Sequence, residues 1–315
     1  IKLVLDPFNL KVNIKTIGPK IKIKKSKIDI QNINTGISIY SIFKNTFSLT
    51  NLEISTKSLK IKNLISFLRN LENTPQLYLL EKIIKKGYIV SSINLEFNEK
   101  GKIKKNYNIK GFIRDGELSF LKKNNIKKMG LLFDIRNEIY KLEDINLSLN
   151  KIPLNSDEIR IKKRNNDFLV EGSFQNNNIL IKENVVNTFL NSFLKRYEIE
   201  NFNLNLKNNF QFILNKKLKI SNLKFSSKIE LDDLGFKNNL NLKKFFPNIK
   251  ETISLKDHLI NIDYGKNIFK ITGSGNILIQ DEEDKINYSI IKKDSTYNFD
   301  ASLFIKKNFF QINFL

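Results

Sequence analysis

The stretch Phe8-Asn9-Leu10-Lys11-Val12-Asn13-Ile14-Lys15 places an apolar residue at every even position and a polar one at every odd position. Side chains of a β-strand alternate between the two faces of a sheet, so this pattern predicts a half-buried strand. Gly18-Pro19 then predicts a turn, and Lys20-Ile21-Lys22-Ile23-Lys24 resumes the alternation. The lysines fall mostly opposite the apolar face, where water solvates them and no partner is needed.

The far end of the chain reads the same way. Phe269 and Ile271 alternate, followed by Gly273 and Gly275, then Ile277 and Ile279. After the acidic turn Asp281-Glu282-Glu283-Asp284 come Ile286, Tyr288 and Ile290. Tyr297, Phe299, Ala301, Leu303 and Ile305 share one face, and Phe310, Ile312 and Phe314 share the next. This predicts a meander of hairpins. Asp115-Gly116 has the composition of a two-residue hairpin turn.

A short cell recurs between these ends: one apolar residue, two polar residues, then an alternating run. It is seen as Leu49-Thr50-Asn51-Leu52, Val90-Ser91-Ser92-Ile93, Leu142-Glu143-Asp144-Ile145, Ile199-Glu200-Asn201-Phe202 and Ile220-Ser221-Asn222-Leu223. The offset of three reverses strand parity, and a bulge or tight turn restores the apolar residues to one side. The spacing between copies is irregular, which argues for one sheet extended strand by strand rather than a fixed-period solenoid.

Helices are expected to be few. Thr74 to Lys86 has a capping Thr, Pro75 at the first helical position and Gly87 as a stop. Residues 58–71 put Ile61, Leu64, Ile65, Leu68 and Leu71 on one stripe, and Glu183 to Tyr197 puts Val186, Phe189, Leu190 and Phe193 on another. Residues 235–256 have the weakest pattern and read as a mixed insertion. The predicted fold is therefore mainly β: a long curved antiparallel sheet forming an elongated apolar groove, with a few short amphipathic helices. It is expected as a single elongated segment over residues 1–315, with a subdivision near 183–200.

Composition bounds the chemistry. With 41% hydrophobic residues in 315, a sizeable apolar surface is available, and intrinsic disorder is excluded. The absence of cysteine removes disulfides, thiolate nucleophiles and Cys-based metal sites. A run of 18 or more apolar residues is lacking, so no segment spans a bilayer as a helix. The first residue is Ile1 rather than Met, and we expect a processed chain or a fragment of an anchored protein. The net charge of +22 has two readings: an anionic partner, or the load of lysine that A/T-rich codons place on any solvent face.

Catalytic patterns are weak. The sole histidine is His258, in a segment with no nucleophile signature, and it reads as an ordinary strand-edge residue. Thr272-Gly273-Ser274-Gly275 lacks the Lys and helix start of a phosphate loop and reads as a bulge or close packing. Asp281 to Asp284 lacks EF-hand spacing and reads as a solvated hairpin tip. We expect no enzyme activity, no cofactor and no metal. We also expect no nucleic acid, because the aromatics fall on the apolar face rather than among the lysines. An apolar face left open needs a filler, and lipid acyl chains supply one.

The recurring cell resembles the AsmA-like superfamily, of YhdP and TamB type. So do Tyr107 to Phe120, Phe133-Asp134-Ile135 through Leu142 to Ile145, Ile159-Arg160-Ile161, and Phe168 to Phe174. That resemblance implies an inner-membrane anchor outside this chain, a periplasmic β-groove, and movement of phospholipid towards the outer membrane. The implied partners are phospholipid acyl chains, the bacterial inner and outer membranes, and other envelope proteins. The residues expected to line the groove are Phe8, Leu10, Val12, Ile14, Leu95, Phe97, Leu204, Leu206, Phe212, Phe225, Phe299 and Leu303. The rival expectation is a non-enzymatic envelope scaffold or assembly factor for outer-membrane proteins.

Overall fold

A computed structural model describes the chain except for Lys25, residues 121–123, 182–198, Leu218, 239–242 and 312–315. Among the described residues, eighteen strands and three helices make a mainly β protein with antiparallel strand pairing, as the alternation predicts. Contacts divide it into two units, Ile1–Leu149 with Asp157–Lys163, and Asn150–Ser156 with Arg164–Leu315. The division falls within one strand, β11 (Ile152–Arg164). The subdivision and the third helix expected near 183–200 lie almost wholly outside the described residues.

In the first unit, β1 (Lys2–Asp6), β2 (Lys11–Ile17), β4 (Ser26–Ser38), β5 (Leu49–Thr56), β7 (Ile84–Glu96), β8 (Asn108–Phe120), β9 (Asn124–Arg136) and β10 (Ile139–Leu149) pair in that order. Two short strands, β3 (Lys20–Ile23) and β6 (Leu59–Lys60), extend the positions of β2 and β5. Gly18-Pro19 is therefore not a hairpin turn. β2 and β3 run in the same direction along β4, from Lys11 opposite Ser38 to Ile23 opposite Ser26. Gly18, at φ +65°, kinks the strand, while its N–H donates to Gln31 O and Pro19 O accepts from Ile30 N–H. Proline's missing donor costs nothing at such a kink.

Asp115-Gly116 behaves alike. It sits in the middle of β8 as a bulge, with Asp115 at φ 52° and a register shift between Ile113 and Gly116, so the expected hairpin is absent. Bulges also explain the recurring cell. Register shifts accompany Leu49–Leu52, Leu142–Ile145, Ile199–Phe202 and Ile220–Leu223. Asp144 and Asn222 take positive φ there, a conformation that Asp and Asn tolerate better than most residues. The copy at Val90–Ile93 pairs without a shift, leaving Val90 on the face opposite Ile93.

Helix α1 (Ile39–Phe43) is a single turn capped by the Ser38 hydroxyl. Helix α2 (Ile61–Leu71) buries Ile61, Ile65 and Phe67, while Leu68 and Leu71 face solvent, so its inner stripe is rotated from the expected one. Phe67 closes a core with Ile28 and Ile30 of β4, flanked by Ile21, Ile33, Ile54 and Leu64. Helix α3 (Pro75–Ile83) starts as expected, with Thr74 Oγ1 accepting from Leu77 N–H at 3.3 Å. It stops three residues early, because Ile84 begins β7 and Gly87 lies inside that strand.

The second unit is a meander of β12 (Asp167–Ile181), β13 (Ile199–Leu214), β14 (Ile220–Lys237), β15 (Thr252–Gly265), β16 (Ile268–Leu278), β17 (Glu283–Lys293) and β18 (Thr296–Phe304). Its core has two centres, one around Leu204 and Leu231, the other around Phe246, Ile253, Ile277 and Ile279. Phe246 comes from the segment read as a mixed insertion, which folds onto the sheet. The expected solvated tip at Asp281–Asp284 is corrected at its last residue. Asp284 is fully buried, with Oδ1 accepting from Lys306 N–H at 3.0 Å and Oδ2 from Asn308 Nδ2 at 2.7 Å.

Candidate functional site

Residues paired across antiparallel strands share a face, so register decides which apolar side chains meet. In the first unit, Ile33, Ile54, Ile93, Ile109, Ile135 and Tyr140 are successive partners across six strands. The neighbouring row on that face is Leu3, Ile14, Thr35, Leu52 and Leu95, and the next is Leu5, Val12, Ile37 and Leu49. Of the expected lining residues, Val12, Ile14 and Leu95 are thus brought onto one face. Phe97 pairs with Ile103 just beyond β7, its ring 5.7 Å from that of Phe47. Phe8 and Leu10 lie in the turn between β1 and β2 and not on a strand. Phe8 is 97% exposed, and Asp6 holds the turn by accepting from Asn9 N–H and Nδ2.

The second unit repeats the arrangement. One row is Leu206, Ile229, Ile260, Gly273, Tyr288 and Ala301, and the next is Ser227, Ile262, Ile271, Ile290 and Phe299. Leu204 faces Leu231, and Leu303 faces Ile286. Near the strand ends Phe210, Phe225, Tyr264 and Phe269 are successive partners, and Phe210 stacks with Phe212 at 6.0 Å. Leu204, Leu206, Phe212, Phe225, Phe299 and Leu303 therefore share one face. The continuous aromatic row was not evident in the sequence, where only the recurrence of Phe and Tyr at strand ends hinted at it.

This face is only partly covered. Most of its residues are half-buried, and on β18 Phe299 and Tyr297 are 69% and 65% exposed.

The opposite face carries charge in short ladders. Asp134 pairs with Arg136 at 2.7 Å and Lys110 at 3.7 Å, and Glu158 with Arg160 at 2.6 Å and Lys141 at 3.8 Å. Such exposed pairs solubilise the sheet and stabilise it little. Bonds from Asn106 and Lys104 hold the Glu96 carboxyl below its usual range, and the bond to Glu138 raises the Lys163 ammonium.

His258 is the exception on the apolar face. It is 1% exposed, opposite Leu231, and it stacks on Tyr288 at 5.8 Å. Burial lowers its pKa from 6.5 and raises that of Tyr288. The expected strand-edge histidine is thus an interior one. Gly273 and Gly275 make room for both rings, which bears out the close-packing reading of Thr272–Gly275.

Among the described residues, no group of three or more His, Asp or Glu is arranged to hold a metal. No described helix is long and apolar enough to cross a membrane. Neither a protein-family model, a curated protein nor a solved structure matches the chain.

Proposed function

We propose that this chain binds phospholipid acyl chains along the apolar face of its sheet. It passes them, without chemical reaction, between the inner and outer membranes of a bacterial envelope. The observation that carries this reading is the run of mostly apolar rows across successive strands within each unit, left half-open to solvent. In the second unit the seven strands span roughly 30 Å at about 4.8 Å per strand. That is close to the thickness of one bilayer's hydrocarbon core, about 30 Å. Each methylene buried on such a face contributes about 0.8 kcal/mol, so ten supply roughly 8 kcal/mol. Non-directional contacts of this kind let a chain slide from row to row, which a deep specific pocket would prevent. The charged ladders of the other face keep that side in water. The periplasmic setting belongs to the same proposal and rests on the AsmA-like resemblance.

Native mass spectrometry of the purified chain, with extraction and identification of bound lipid, tests the reading. Several phospholipids per chain, retained in high salt, are expected. Replacing Ile229 and Ile262 with Asp in the middle of the rows should remove most of them. A lipid-free, monodisperse protein would overturn the proposal and favour a scaffold whose apolar faces satisfy one another.

A further inference from the structure

We infer that the stepped edge of the second unit holds the anionic head group of a phospholipid, an inference that rests on the lipid-binding reading above. β14 pairs with β13 from Ile220 onward but with β15 only from Phe225. Ile220 to Lys224 therefore project past the Lys266-Asn267 turn between β15 and β16, which leaves Ile220 58% exposed. The step encloses a cavity of about 650 Å³. Phe212, Ile220 and Leu223 contribute apolar walls, and Arg164, Lys224 and Lys266 contribute three cations.

Aspartate and glutamate are absent from that lining. Glu171 and Asp263 line an adjoining cavity, which Lys224 and Lys266 also border. None of the three cations forms an ion pair among the described residues. At the other edge of this unit two lysines are paired, Lys250 with Asp281 at 3.6 Å and Lys256 with Glu283 at 2.9 Å. Three cations around one cavity, none of them in an ion pair and with no carboxylate in its lining, repel one another, and a bound anion relieves that repulsion. The arginine fork and two ammonium groups suit phosphate oxygens, with arginine able to bond two at once. The apolar walls select the source of the phosphate. A free ion gains nothing from Phe212 and Leu223, whereas a phospholipid buries its first methylenes there and continues onto the aromatic row beside it.

The full chain is mixed with vesicles of phosphatidylcholine alone, or of equal phosphatidylcholine and phosphatidylglycerol, and bound lipids are counted by native mass spectrometry. The wild type should favour phosphatidylglycerol by at least about tenfold. The Arg164→Gln/Lys224→Gln/Lys266→Gln variant should load as much total lipid with its preference reduced to about twofold or less. The control Lys20→Gln/Lys22→Gln should retain the preference, and circular dichroism checks that each variant is folded. Lipid loading without preference in the wild type, or preference surviving in the triple variant, overturns the head-group site alone. Erasure of the preference by millimolar inorganic phosphate reassigns the cations to a free anion and also overturns it. Failure to load either lipid overturns the underlying lipid reading instead.

Discussion

Alanine at Gly275 should destabilise the second unit by about 2 kcal/mol, and alanine at Gly273 by less than about 1 kcal/mol. A Cβ on Gly275 would lie 2.3 Å from His258 Nδ1 and 2.7 Å from His258 Cα. The second contact is with backbone, on a strand bulged between Lys256 and Leu259, and it cannot swing away. Forcing extra volume into such a place costs typically 1–3 kcal/mol. Against that, alanine recovers roughly 0.5–1 kcal/mol of backbone entropy relative to glycine in a strand. A Cβ on Gly273 would meet only the outer atoms of Tyr288, Cζ at 2.1 Å and the hydroxyl at 2.4 Å. That ring can rotate towards solvent, so the cost nearly cancels the entropic gain. Urea unfolding, with hydrogen exchange at the amides of β15 to β17, gives the two changes and locates them. A double-mutant cycle separates the causes. Tyr288→Ala should abolish the Gly273→Ala penalty, and His258→Ala should relieve the Gly275→Ala penalty only in part, because the Cα remains. A Gly275→Ala protein as stable as wild type, or a Gly273→Ala protein harmed more, would refute this account of why glycine is needed.

Further outcomes follow from other buried groups. Burial depresses the folded-state pKa of His258 below 6.5, so the unfolded chain binds the extra proton first. Stability should hold above about pH 6.5, decline as pH falls below it, and level off below the folded-state value. In His258→Phe this decline should vanish, as measured by unfolding midpoints from pH 7.5 to 5; an unchanged slope would sink the assignment. Asp284→Ala leaves the Lys306 N–H without its acceptor and the Asn308 amide with Glu282 O alone, and should cost about 2 kcal/mol. Limited proteolysis would then cut near residues 305–309, and an uncut variant would count against that clamp. Phe67→Ala should cost about 3–5 kcal/mol by emptying the contact between α2 and β4, read as lost amide protection in both elements.

Period-two alternation determined the strands, their antiparallel meander and which side chains face which way, because the pleat fixes side-chain direction residue by residue. The same local rule made Val12, Ile14 and Leu95 legible as one apolar set in the first unit, and Leu204, Leu206, Phe212, Phe225, Phe299 and Leu303 as another in the second. Turn chemistry was legible only in part. Gly18-Pro19 and Asp115-Gly116 announce a backbone that departs from the extended form, as they must with positive φ. Whether the chain then reverses or merely kinks depends on the strand beside it, and both stretches proved to be interruptions of strands that continue. Phe8 and Leu10 were misplaced for the related reason that alternation persists through a turn when nothing in the local sequence forbids it.

Burial was the other thing the sequence could not fix. His258 and Asp284 read as surface residues on polarity, yet they are the most buried large side chains described, enclosed by Tyr288 and by the segment around Lys306. The three cations of the stepped edge are far apart in sequence, and only strand register gathers them. Alternation is written in neighbouring residues. Cross-strand register, bulge position and the grouping of Arg164 with Lys224 and Lys266 depend on contacts between distant segments, and these were decided when the strands paired.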